Sequence, residues 1–339
     1  MSSAQMTPLT SADLATDQEV RWCPGCGDFS ILAQLKKALT ESGIPREKLV
    51  FVSGTGCASR FPYYLNTYGF QTIQGRAPTV ATGLKLLRPD LSVWVVTGDG
   101  DALSAGGNHL LHVLRRNVDV KILLINNEIR GLGKGQASPT SRPGTRTRTT
   151  PDGSCENALR PLSIALAAGA TFVARSVDLD IDHLTETLKR AAAHKGSAFV
   201  EIYQNCKVFN DGVFEYASDK AAKGDHLLYL EQGRPLVFGN DRTRGVRLNG
   251  LEPELVMLGS DFDSAQLLTH DERAERPTLA YLLSQMTYPV YPECVGVFRA
   301  VRRPTHDERT EQQLADAVRR RGRGTLEELF VADDDWEVP

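Results

Sequence analysis

Long apolar runs are missing from this 339-residue chain, and no stretch approaches the ~20 residues of a membrane-spanning helix. The opening MSSAQMTPLTSADLATDQEV is polar and lacks the apolar centre of a secretory signal. Charge of either sign is not in excess. Lys and Arg number 39 against 42 Asp and Glu, a net charge of −3, which leaves no basic footprint for nucleic acid. These absences predict a cytoplasmic protein with neither a membrane nor a nucleic-acid partner. Cysteine is scarce too. Six residues are too few for a disulfide scaffold in a chain this long, which leaves metal ligation, redox work or plain burial.

What is present is regular alternation. DFSILAQLKKALTESG reads as a helix that Asp28 can cap and Gly43 stops. KLVFVSGTG is an apolar strand, APTVATGLKLLRP a helix, LSVWVVTGDG a strand, LSAGGNHLLHVLRRN a helix and DVKILLINNE a strand. GATFVAR and SAFVEIYQN are later strands, with the helix DIDHLTETLKRAAAHKG between them. Short, almost wholly apolar strands separated by helices predict an α/β fold with a parallel sheet covered on both faces. The predicted organisation is a mobile N-terminal arm (1–20), one α/β domain (21–215) and a C-terminal extension (216–339) packing on that domain or on a partner. Residues 130–155 have no apolar periodicity and read as either a functional or a disordered loop. That loop carries Arg130, Lys134, Arg142, Arg146 and Arg148 against Asp152, a positive balance suited to the phosphates of coenzyme A. The pentamer THDER occurs at 269–273 and 305–309, and each copy fits a helix capping box.

In parallel α/β folds ligands bind beyond the carboxyl ends of the strands. Gly98, Asp99 and Gly100 fall there, where glycine lets the backbone approach a phosphate. A phosphate beside a carboxylate calls for a divalent cation, and Mg2+ takes oxygen ligands. Asn126 and Asn127 end the next strand, one helix and one strand later, so both polar tips reach one sheet edge. Alone, Gly-Asp-Gly reads as a turn; the pair at this spacing favours a ligand site.

Cys23 and Cys26 in WCPGCGDF fit a zinc half-site, a thioredoxin-like pair or part of an iron–sulfur cluster. No second close pair completes a zinc ribbon, and the motif follows a polar arm rather than a strand. Cys57 in SGTGCASR and Cys206 in YQNCK each follow a strand, whereas Cys155 and Cys294 have no such placement.

Gly-Asp-Gly followed by Asn-Asn resembles the thiamine diphosphate fingerprint. With CPGCGDF, GTGC and the closing NC, residues 20–215 resemble the β subunits of 2-oxoacid:ferredoxin oxidoreductases. The resemblance implies a thiamine diphosphate-binding fold. Asp99, the Asn127 side chain and the Ile129 carbonyl would bind Mg2+. Gly98, Gly100, Asp101, Gly131 and Leu132 would surround the diphosphate, with Gln74 as a further cofactor contact. Cys23, Cys26, Cys57 and Cys206 would hold one [4Fe–4S] cluster, and Thr55, Gly56, Cys57 and Ala58 would touch the cofactor as well. Two positions depart from the family: Gln74 stands where His is frequent and Arg130 where an aromatic is common.

The implied reaction is oxidative decarboxylation of a 2-oxoacid, with coenzyme A taking the acyl group and ferredoxin the electrons; it is reversible as reductive carboxylation. Only one of the two α/β domains of a thiamine enzyme is present. An α subunit is therefore expected to supply the activating Glu and to complete an (αβ)2 assembly. PYYLNTYGF and KGQASPTS resemble the 2-oxoglutarate branch, with pyruvate or another 2-oxoacid as the alternative. A purely electron-transferring iron–sulfur subunit is the alternative of another class. Arg60, three residues after Cys57, is the candidate partner for the distal carboxylate of 2-oxoglutarate.

Overall fold

A computed structural model of the chain describes residues 9–260 and 262–330. The strands in chain order are β1 (Leu49–Ser53), β2 (Tyr68–Gln71), β3 (Ser92–Gly98) and β4 (Val120–Asn126), then the short pair β5 (Ile129–Arg130) and β6 (Gln136–Ala137). They continue with β7 (Phe172–Val177), β8 (Ala198–Tyr203), β9 (Leu227–Leu230), β10 (Val237–Phe238), β11 (Arg244–Asn249), β12 (Glu252–Met257) and β13 (Glu293–Ala300). The helices used below are α1 (Asp28–Glu41), α2 (Ala77–Leu87), α3 (Gly107–Arg116), α4 (Pro161–Ala167) and α5 (Ile181–Ala193).

Eight strands form one sheet in the order β2-β1-β3-β4-β8-β7-β13-β9. The first six run parallel; β13 is antiparallel to β7 and parallel to β9. β1, β4, β7 and β8 are buried along their whole length, because helices cover both faces of the sheet. Alternate residues divide between two cores. Val50, Val52, Val93, Val95, Ile122, Leu124 and Phe199 pack beneath α2, α3 and α4. Phe51, Trp94, Val96, Leu123, Ile125 and Val200 pack beneath α1 and α5. This is period-two geometry inside strands apolar on both faces. No described helix is long and apolar enough to cross a membrane.

Several expectations need correction. Residues 9–20 are not a free arm, since Leu14 is fully buried and its carbonyl accepts from the Asn66 amide; residues 1–8 lie outside the described residues. Asp28 is the first residue of α1 and makes no side-chain cap; its carboxyl is buried and one oxygen has no partner. Part of residues 130–155 is bonded into the fold: Ser138 and Thr140 hydrogen-bond Asp99, and Arg142 is paired with Glu128. Of the two THDER copies, only the second is a capping box, with Thr305 and Glu308 opening the helix His306–Arg321. The first lies in turn and extended backbone, where Glu272 pairs with Arg190 instead. Among the elements that escaped the periodicity are the four-residue edge strand β2, and α4, which Pro161 opens and Gly169 follows at φ +82°.

Residues 216–339 do more than pack on the domain before them. They supply β9 and β13, and β13 lies between β7 and β9. Arg175 of β7 is buried and bonds both Glu201 of β8, at 2.8 Å, and Glu293 of β13. Tyr203 and Tyr216 donate to Glu293 at 3.0 and 3.2 Å, and Asn126 donates to Glu201 at 2.8 Å. Removing one member of a buried ion pair strands the others without solvent. Arg175→Leu is expected to cost about 3–5 kcal/mol, read as a lower urea midpoint. An unchanged midpoint would show that the ion group does not hold β13 in the sheet.

Candidate functional site

Parallel strands bring their carboxyl ends to one edge, and the chain reverses its direction of winding between β1 and β3. That switch point is where such sheets open a crevice. A cavity of about 260 Å³ lies there. Thr55, Gly56, Cys57 and Ala58 line it from the end of β1, and Gln74 from the turn after β2. Gly98, Asp99, Gly100 and Asp101 line it from β3, and Asn127, Ile129, Gly131 and Leu132 from β4 and the turn beyond. All the residues assigned by resemblance to the cofactor and Mg2+ thus share one cavity. Arg130, Gly133 and Gln136 also line it, and Arg60 does not.

Asp101 fastens the walls together. Its Oδ1 accepts from the Gly75 amide at 2.7 Å and its Oδ2 from Thr97 Oγ1 at 2.7 Å, so one carboxylate ties the turn after β2 to β3. A side-chain carbon at Gly54 would lie 1.9 Å from Asp101 Oδ2, so only glycine fits there. The Asp101 carboxylate is therefore engaged by the protein, which leaves a diphosphate its backbone. The next turn, Asp101–Ala105, is wound as a π-helix ahead of α3, a distortion frequent at functional sites.

Asp99 is 2% exposed, and burial raises its pKa while hydrogen bonds from Ser138 and Thr140 oppose the rise. Both hydroxyls donate to Oδ2 at 2.6 Å. Among the described residues no Lys or Arg pairs with it. Asn127 donates through Nδ2 to Gln204 Oε1 at 2.8 Å, which leaves Oδ1 as its acceptor end; the Ile129 amide lies 3.2 Å from that oxygen. Asn126 is the structural member of the pair, spanning Glu201 and the Glu128 amide. Burial pushes the Glu128 carboxyl up to about 7 against the pull of Arg142.

The cysteines gather on the other side of the same wall. The Gly27 amide donates to the Asn205 carbonyl at 3.2 Å, which seats the Cys23–Cys26 turn against the segment leading to Cys206. A side-chain carbon at Gly131 would lie 3.6 Å from Cys57 Sγ and 3.8 Å from Cys206 Sγ. Burial raises the thiol pKa of Cys26, Cys57 and Cys206, and the proximity of Cys206 adds to the rise at Cys26 and Cys57. Cys155 is exposed, and Cys294 is buried within β13. Among the described residues no three His, Cys, Asp or Glu side chains could hold a single metal ion. Arg60 donates through Nη1 to the Arg21 carbonyl at 2.7 Å; burial raises the pKa of Cys57 and Asp28, and the charge of Arg60 opposes part of that rise.

Gln204 was missed by the sequence reading. Its Nε2 donates to Cys26 Sγ at 3.1 Å while its Oε1 holds Asn127, so one buried amide spans the cysteines and the cavity. Its position two residues before Cys206 was the available signal. Ser138 and Thr140 were missed as well, because hydroxyls in a Pro-containing loop carry no periodicity.

Residues 54–202 match the family described as thiamine pyrophosphate enzyme, C-terminal TPP binding domain. The chain is 48% identical over 334 residues to the 2-oxoglutarate oxidoreductase subunit KorB of Mycobacterium tuberculosis, covering 98% of this chain and 89% of that protein. It is 42% identical over 188 residues to the 2-oxoglutarate synthase subunit KorB of Methanocaldococcus jannaschii, covering 56% of this chain and 70% of that one. Among solved structures, it resembles the 2-oxoglutarate:ferredoxin oxidoreductase from Magnetococcus marinus, with 2-oxoglutarate, coenzyme A and succinyl-CoA bound. That match has a TM-score of 0.73 and 33% identity, and covers 95% of this chain and 94% of the other.

The hydroxyls on Asp99 make the 138–141 turn part of the cavity wall. Thr140→Val leaves a buried carboxylate short of one donor and is expected to cost about 1–3 kcal/mol in urea unfolding. Thr149→Val, at an exposed site of the same loop, should stay within about 0.5 kcal/mol of the parent. Equal midpoints for the two variants would remove Thr140 from the support of Asp99.

Proposed function

The chain belongs to the β subunits of the 2-oxoacid:ferredoxin oxidoreductases, and on that footing we propose that it binds thiamine diphosphate, Mg2+ and one [4Fe–4S] cluster. With an α subunit, in an (αβ)2 assembly, it would convert 2-oxoglutarate and coenzyme A to succinyl-CoA and CO2, with ferredoxin taking the electrons. The ligands of the Magnetococcus marinus enzyme and the names of the KorB relatives support this substrate. The observation that carries the proposal is the adjacency of the cavity and the cysteine group, which meet at Cys57 and Gly131.

The residues fit the groups assigned to them. A buried carboxylate without a basic partner is unfavourable unless a cation joins it. Asp99, the Asn127 amide oxygen and the Ile129 carbonyl form the oxygen set that suits Mg2+. With Oδ2 of Asp99 taken by two hydroxyls, Oδ1 is the oxygen left to the metal. Gln204 fixes which end of Asn127 faces it. Thiamine diphosphate, when bound, supplies the nucleophilic carbon and the electron sink that decarboxylation requires. A cluster is held by four thiolates that can come from separate loops, which is the placement of Cys23, Cys26, Cys57 and Cys206. The raised thiol pKa values of Cys26, Cys57 and Cys206 mean that cluster binding would displace protons from these three. Glycine at 131 keeps the wall between cofactor and cysteines thin.

Arg60, as anchor for the distal carboxylate, would exchange the Arg21 carbonyl for the substrate. Arg60→Ile should then lower turnover efficiency on 2-oxoglutarate by at least about 30-fold and spare pyruvate. An unchanged ratio of the two efficiencies would send that role to the α subunit.

The main test uses the α–β complex purified without oxygen. About four irons per β chain are expected, with Cys206→Ala losing most of them and Cys155→Ala and Cys294→Ala keeping them. Iron that stays with the α subunit would take the cluster off this chain. Asp99→Ala should lose thiamine diphosphate affinity and keep its iron; normal affinity would refute the metal assignment. Turnover on pyruvate in preference to 2-oxoglutarate would overturn the substrate.

A further inference from the structure

Among the described residues Arg130 is the one basic residue lining the cavity, and neither the fold nor the family fingerprint accounts for it. It ends β5, four residues after Asn126 closes β4, and its side chain crosses back over the turn that follows β3. A side-chain carbon at Gly100 would lie 2.6 Å from Arg130 Cγ and 3.1 Å from Nε. Glycine at 100 therefore makes room for the arginine as well as for a ligand.

Among the described residues the guanidinium has no recorded hydrogen-bond partner. Nε is buried without a hydrogen bond, and among the described residues no ion pair involves Arg130. Two carboxylates line the same cavity, but among the described residues neither pairs with Arg130. Asp99 Oδ2 accepts from Ser138 and Thr140, and Asp101 accepts from Gly75 and Thr97. A donor buried unpaired is unfavourable, more so when it is charged. A planar cation held unpaired beside a glycine turn is suited to a phosphate, whose oxygens match its fork.

We propose that Arg130 clamps the diphosphate of the cofactor at the Gly98–Asp101 turn, a role that rests on the thiamine diphosphate reading above. Its fixed positive charge shares with Mg2+ the neutralisation of the diphosphate. The chain would therefore retain some affinity for a diphosphate when the divalent ion is withdrawn. A second anion in the reaction also carries a diphosphate, coenzyme A. The side of the cavity that Arg130 faces, against Gly100 and near Asp99, selects the cofactor.

The experiment is calorimetric titration of the α–β complex, stripped of cofactor, with thiamine diphosphate, inorganic pyrophosphate, unphosphorylated thiamine and coenzyme A, each with Mg2+ and with EDTA. Arg130→Met should weaken thiamine diphosphate and pyrophosphate by about 10- to 100-fold and leave thiamine unchanged. Arg130→Lys, which keeps the charge and loses the fork, should fall between. In EDTA the parent should retain weak pyrophosphate binding that Arg130→Met lacks. If the parent binds thiamine diphosphate and Arg130→Met binds it equally well, the clamp is refuted and the site stands. If the parent binds neither diphosphate, the site itself is refuted and the clamp with it. Loss confined to coenzyme A would also overturn the assignment. Should Arg130→Met fail to fold, the titration of Arg130→Lys decides, with parent-like affinities counting against the fork.

Discussion

Six parallel strands must end at one edge, and everything chemical in this chain follows from that constraint. Residues far apart in sequence become neighbours because each closes a strand: Cys57 after β1, Asp99 after β3, Asn127 after β4 and Cys206 after β8. The sheet needs no long-range design to gather them. It needs apolar strands of matched length, covered on both faces so that only the tips are polar. The reversal of winding at β1 and β3 then opens the crevice into which those tips project.

Buried charge is handled differently at each depth. Arg175, Glu201 and Glu293 form a closed ionic group within the sheet, and Tyr203, Tyr216 and Asn126 take up the remaining bonding capacity. Asp101 is satisfied by an amide and a hydroxyl and serves as a fastener. Among the described residues Asp99 and Arg130, at the cavity, are left without a charged partner. Completion inside and incompleteness at the mouth separate scaffold from site in physical terms.

Much of this was legible in the sequence, and the reasons are local. The strands ending at Gly98 and Asn126 read clearly because apolar runs stop abruptly at Gly-Asp-Gly and Asn-Asn. Cys57 and Cys206 stood out because each follows such a run. The tail was not legible: β9 and β13 join the sheet edge far from their sequence neighbours, and one is antiparallel, so no alternation announces them. Gln204, Ser138 and Thr140 act through single hydrogen bonds, which leave no pattern along a chain. Asp28 looked like a cap because of its place before an apolar helix; tertiary packing instead buried its carboxyl beside Cys26.

The position of Glu293 sets the order of events during synthesis. It leaves the ribosome 118 residues after Arg175, the cation it meets in the finished sheet. At 5–20 residues per second that is roughly 6–24 s in which one edge of β7 waits without its neighbour. Exposed strand edges invite pairing with other chains. The nascent protein thus carries every proposed cofactor ligand, from Cys23 to Cys206, well before it has the strand that closes the sheet. Synthesis of the proposed ligand residues and completion of the fold are separated in time by the length of its own tail.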